Sequence, residues 1–217
     1  MTKYGKLASV LIGIWFVIEL AASGLHVFKT GPNAPPLAFG LAAGIPLLLF
    51  LGWFAASAGF REFAMGLNPR VLTWVQSWRL DGFVFLVLAT YGILPRLFAF
   101  SAGWGDIVIG ATAVFAGLKL ASPDHRGSFI VWQLLGIADL VNAIAMGTLA
   151  HVIDPRGIQT DAMTVLPMSL IPTFGVPLFM MLHIICIAQA RRWPARRELQ
   201  IRRATFSEDP LIAKMPR

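Results

Sequence analysis

The sequence predicts an all-α, polytopic membrane bundle of about six transmembrane helices, with both termini in the cytoplasm. Three observations carry this expectation. Hydrophobic residues make up 57% of the 217 positions and charged residues 13%, against roughly half and a quarter in a typical soluble domain. Apolar runs of bilayer length recur, a hydrocarbon core roughly 30 Å thick needing about 20 residues of helix. The basic residues gather on alternate loops and at the C-terminal end. A chain with 18 Lys+Arg and 11 Asp+Glu cannot clothe a soluble globule in charge, which excludes a soluble enzyme and a disordered protein. Cys186 is the one cysteine and excludes an intrachain disulfide framework.

The first predicted span is Leu7 to Phe28. Lys3 and Lys6 precede it, and Ala21-Ala22-Ser23 resembles a signal-peptidase site, but its length and Glu19 predict a retained helix. The second span, Leu37 to Phe60, is entered through the turn-forming stretch Gly31-Pro32-Asn33-Ala34-Pro35-Pro36. The third runs from Val71 to Leu94 and stops before Pro95. Gly103-Trp104-Gly105 reads as a turn before the fourth, Asp106 to Ala121, which is short and is expected to begin a few residues earlier. Ser122 to Gly127 breaks the chain, and Ser128 to Val152 forms the fifth. The sixth, Leu166 to Ala190, carries Pro167, Pro172 and Pro177, which membrane helices tolerate. The third and fourth are the least distinct, so five and seven are the alternative counts. Residues 1–190 therefore form a span domain and 191–217 a basic tail.

Orientation follows the positive-inside rule. With both termini on one side, that side collects Lys3, Lys6, Arg61, Arg70, Arg79, Lys119, Arg126 and all the tail cations. Only Lys29, Arg96 and Arg156 fall opposite. The expected location is the cell inner membrane, multi-pass. The formal charge of +7 then reflects topology and contact of the tail with anionic headgroups, about 1 kcal/mol per basic residue near the surface, and not nucleic-acid binding.

Ionisable residues within spans are costly and face a bundle interior or a wet cavity. Sorted by helical rise, Glu19, Asp139 and Asn142 lie near the midplane. Arg79, Asp81 and His183 lie in the cytoplasmic half, and His26, Arg96, Asp106 and His151 lie towards the outer face. The functional reading is a polar path through Glu19, Asp139, Asn142, Asp81, Arg79 and His183. The bland reading is interhelical glue, with Arg79 neutralising Asp81, Arg96 neutralising Asp106, and Asn142 bonded to Glu19 or Asp139. Glu19 and Asp139, acidic and without a basic residue at their depth, are the expected central pair. His26 and His151 share a depth at which haem b or a metal ion would bind, with Asp106 as an orienting acceptor.

Enzyme signatures are absent: the chain has no nucleophile elbow, no Walker loop and no dinucleotide fingerprint. Gly40 and Gly44 form a GxxxG that permits close helix approach. Trp15, Trp78 and Trp132 open similar short segments in odd-numbered spans, a faint threefold echo. The best functional expectation is a proton-linked small-solute transporter or other polar-path membrane protein. The alternatives are an accessory subunit of a larger membrane complex, or a redox subunit binding haem b or a metal. Membrane lipids, further membrane proteins or a second copy are the expected partners.

Overall fold

A computed structural model describes residues 3–29, 37–154 and 156–194. The predicted turn at 31–36, the His151 side chain and the tail from residue 195 onward lie outside the described residues. The described residues form helices and turns, with no strand. The α-helices are α1 (Lys3–Gly24), α2 (Leu37–Ala56), α3 (Ala58–Met65), α4 (Pro69–Val75), α5 (Gly82–Thr90), α6 (Arg96–Phe115), α7 (Arg126–Ile153) and α8 (Val176–Arg191). Short 3-10 or π turns weld several of these into longer rods. Six segments are long and apolar enough to cross a bilayer: Lys3–Gly24, Leu37–Ala56, Pro69–Thr90, Arg96–Leu120, Pro123–Ala150 and Ile171–Arg191.

The segment bounds correct the sequence reading at particular residues. The second segment ends at Ala56, because Ser57 turns extended and its Oγ accepts from the Phe60 amide at 3.2 Å, starting α3 afresh. Arg61 seals that break, its Nη1 donating to the Phe54 and Ala55 carbonyls at 3.2 and 2.9 Å. Asn68 caps α4, and Pro69 occupies the first turn where its missing N–H is harmless. The fourth segment begins at Arg96, so Gly103-Trp104-Gly105 is helix and not a turn. Its glycines serve packing instead. A Cβ on Gly103 would stand 2.9 Å from the Gly82 carbonyl oxygen, and one on Gly110 would stand 2.7 Å from the Leu80 amide nitrogen. The third and fourth segments thus touch backbone to backbone, as small residues permit between membrane helices. The sixth begins at Ile171 with a π turn, Ile171–Gly175, containing Pro172.

Segments three to six form the body of the bundle, α6 packing on α5 and α7, and α7 on α8. α2 lies against α8 and α3, while α1 rests mainly on α3 and the π turn. Two apolar layers close the ends. Phe60, Ala64, Leu72, Phe129, Cys186 and Ala190 fill the end at which α8 finishes. Phe85, Ala89, Leu94, Phe98, Ala102 and Met163 fill the other. The outer surface is apolar as well: Val17, Leu48, Leu49 and Trp78 are exposed, the last at 76%. Such an exterior suits lipid as the solvent, and every backbone polar group in a span must then find its partner within the chain.

Candidate functional site

Between the two apolar layers lies a polar one, centred on Arg79. The third segment is rewound there as a 3-10 helix, Gln76–Asp81. In that geometry residues three apart eclipse, so Gln76 and Arg79 both turn inward and are buried, while Trp78 and Asp81 are exposed. Gln76 donates to the Phe179 carbonyl at 3.3 Å. Arg79 is 1% exposed and lies about 15 Å from either end of its segment at 1.5 Å rise per residue.

Every face of the guanidinium is engaged. Nε donates to Asp106 Oδ1 at 2.7 Å, and Nη2 donates to Asp139 Oδ2. Nη1 donates to the Gly136 carbonyl at 3.2 Å and to His183 Nε2 at 3.3 Å. A guanidinium only donates, so His183 Nε2 must accept, which puts the imidazole proton on Nδ1. That N–H donates to Gln133 Oε1, 2.5 Å away. Gln133 Nε2 donates to Thr73 Oγ1 at 3.1 Å, and the Thr73 hydroxyl donates to the Pro69 carbonyl at 2.7 Å. One oriented chain of hydrogen bonds therefore runs from the middle of the bundle to the start of α4. Pro69 also lines a rim cavity of about 250 Å³ with Met65, Leu67, Gln189, Arg192 and Trp193.

Glycines make the room. A Cβ on Gly105 would overlap the Asp139 carboxylate, and one on Gly136 would overlap the His183 ring. A Cβ on Gly82 would stand 2.5 Å from Asp106 Cβ. The buried carboxylate of Asp106 and the part-buried one of Asp139, against one guanidinium, leave the centre one negative charge in excess when both are ionised. A charge taken from water into a low-dielectric interior is tolerable only when paired and hydrogen-bonded.

Several expected partnerships are replaced. Arg79 pairs with Asp106 and Asp139, not with Asp81, because the 3-10 turn points Asp81 outward. Arg96 is exposed at the start of α6, about 15 Å of helix from Asp106, too far to neutralise it. Asn142 donates to Ser101 Oγ at 2.8 Å and reaches neither Glu19 nor Asp139. Asp139 has the basic partner it was expected to lack, and Glu19 shares no partner with it. Glu19 sits instead between α1 and the π turn. There its Oε1 accepts from Trp15 Nε1 at 3.3 Å, and the carboxyl lies beside the Thr173 hydroxyl. Asp106 is drawn to mid-depth by the earlier start of α6 and turned to Arg79, so it is not placed to orient His26. His26 is exposed, in a left-handed turn (φ 57°). Among the described residues no three of His, Cys, Asp and Glu converge as a metal site.

Gln76, Gln133, Thr73 and Gln189 are the residues that sequence reasoning missed. Gln189 Nε2 donates to the Ala64, Met65 and Leu67 carbonyls at 3.1, 3.3 and 2.8 Å, tying α8 to the α3–α4 turn. These side chains are uncharged, but an amide within an apolar run was the available signal. Gly40 and Gly44 meet nothing within 4 Å, so their seam is not used among the described residues. The three tryptophans are not equivalent either: Trp78 is exposed and Trp132 is buried.

A family model described as a domain of unknown function, DUF8737, matches residues 35–191. The chain belongs to this family. No curated protein and no solved structure matches it. The DUF8737 stretch contains the whole Arg79 centre, from Thr73 to His183, and five of the six apolar segments. α1, with Glu19, precedes it.

Proposed function

We propose that this DUF8737 protein is a proton-linked membrane protein, acting on a small solute, whose proton site is the Arg79 centre. One observation carries the reading: at mid-depth, on four different segments, a buried guanidinium is shared by two carboxylates and an imidazole. With both carboxylates ionised the trio is one charge short of neutral, and uptake of a single proton balances it. Asp139 and Asp106 are the proton-accepting candidates, and Arg79 is their fixed counter-charge. His183, whose Nε2 faces Arg79, orients the guanidinium and continues the hydrogen-bond chain towards the rim. Asp81 makes no ion pair here but interacts electrostatically with Arg79 and Asp106, and Asn142 flanks the centre without entering it. The distribution of basic residues supports an inner-membrane location with both termini in the cytoplasm; in that orientation the rim cavity would open on the cytoplasmic side.

A second reading is favoured by one specific observation. No buried side-chain atom of Arg79, Asp106, Asp139 or His183 lacks a partner, as expected of a fixed ion-pair knot in an accessory subunit. Infrared difference spectra of the reconstituted protein, recorded through a pH titration, separate the two. A proton site gives a protonated-carboxyl C=O band that appears as pH falls and is lost in Asp139→Asn or Asp106→Asn. Carboxylates that stay ionised wherever the protein remains folded would refute the proton-linked reading and leave the structural one.

A further inference from the structure

The Glu19 cluster stands apart from the Arg79 centre and is built from different elements. α1 presents Trp15, Glu19 and Ser23 at four-residue spacing, which is one helix face. Facing it is the entry to the sixth segment, where Ser169 and Thr173 are also four apart and the chain winds as the π turn Ile171–Gly175. Glu19 is 5% exposed, and its Oε2 is buried without a hydrogen-bond partner. Ser169 Oγ donates to Ser23 Oγ at 2.8 Å, and Thr173 Oγ1 donates to the Ser169 carbonyl at 2.8 Å. All three hydroxyls are completely buried. Each hydroxyl oxygen carries two acceptor lone pairs, so these side chains bring acceptors to the helix face on which Glu19 Oε2 has no hydrogen-bond partner.

Among the described residues no positive side chain answers it. The π turn and α2 carry no charged residue. α3 carries Arg61 and Glu62, but α3 meets α1 where Tyr4 packs on Gly59, about 22 Å along the helix from Glu19. Arg61 is bonded there to the end of α2. Lys3 and Lys6 share that far end, and His26 beyond α1 is exposed. A carboxylate buried among hydroxyls calls for a counter-charge, and none of the described residues supplies one. Irregular helix within a membrane is also where carbonyls and hydroxyls are freed to hold a coupling ion.

We propose that Glu19, with the Ser23, Ser169 and Thr173 hydroxyls, binds a small monovalent cation, sodium or a proton, and that this occupancy docks α1 onto the DUF8737 domain. The site is independent of the Arg79 reading, which is tested on other residues. The experiment uses the full chain in lipid nanodiscs and follows thermal unfolding in sodium chloride against choline chloride at equal ionic strength, at alkaline and at mildly acidic pH. A rise in Tm with sodium at alkaline pH identifies sodium. A rise on acidification in either salt beyond that of Glu19→Gln, in which the Arg79 centre still titrates, identifies the proton. In both cases Glu19→Gln, neutral and of the same shape, loses the Glu19 part of the response. Hydrogen exchange along residues 13–24 slows on occupancy in the wild type only. Identical sodium and pH responses in wild type and Glu19→Gln overturn the proposal. If Glu19→Gln does not fold, Ser169→Ala keeps the carboxylate and removes one ligand. It should then shift the midpoint of the response by about tenfold in cation concentration, some 1.4 kcal/mol; an unmoved midpoint overturns the proposal equally.

Discussion

Arg79→Met is the sharpest perturbation this fold offers. The substitution keeps much of the side-chain volume and removes every guanidinium donor at once. Asp106 Oδ1, Asp139 Oδ2, the Gly136 carbonyl and His183 Nε2 all lose a partner. If these were ordinary interhelical hydrogen bonds, at about 0.6 kcal/mol each, the loss would be roughly 2 kcal/mol. Stripping the counter-charge from buried carboxylates is the larger effect, about 3–5 kcal/mol, and it should dominate because the guanidinium is shared by two of them. Replacing both carboxylates as well, in Arg79→Met/Asp106→Asn/Asp139→Asn, leaves no uncompensated charge and should recover at least about half of the loss. Equilibrium unfolding in mixed micelles, followed by circular dichroism, gives both numbers. A single variant costing about 1 kcal/mol or less, or a triple variant no more stable than the single, would refute the assignment of Arg79 as the shared counter-charge.

Gly136→Ala drives a methyl into the His183 ring and should cost about 1–3 kcal/mol by overpacking, whereas Gly44→Ala, which meets nothing within 4 Å, should be neutral in the same assay. Gly105→Ala pushes the Asp139 carboxylate from its seat and should reproduce the infrared change of Asp139→Asn, although residue 105 carries no ionisable group. Gln189→Leu strips donors from three carbonyls of the α3–α4 turn and is expected to lower stability by about 1–3 kcal/mol, with faster hydrogen exchange at residues 64–68. Single cysteines placed at Pro35 and Gly127 in a Cys186→Ala background should label from opposite sides of the membrane; labelling of both from one side would sink the six-span topology.

Length and hydropathy by themselves determined that this chain has six apolar helices, because spanning a bilayer is a local property of each run and owes little to its neighbours. The inventory of polar residues was legible too: Glu19, Arg79, Asp106, Asp139 and His183 stand out against apolar surroundings. Their partnerships were not legible. These helices are apolar nearly all round, so no stripe in the sequence fixes how each is rotated about its axis, and rotation decides which carboxylate meets Arg79. Two misreadings, one of depth and one of facing, followed from local signals that tertiary packing overrode. Gly103-Trp104-Gly105 has the composition of a turn, yet backbone contact with Gly82 keeps it helical and carries Asp106 to mid-depth. The 3-10 rewinding at Gln76–Asp81 brings Gln76 and Arg79 onto one line and turns Asp81 outward, against the order in which the charges stand along the chain. Sequence could place a guanidinium and two carboxylates in the membrane. Only the packing of the segments, glycine against side chain, could make them one site and leave Glu19 outside it.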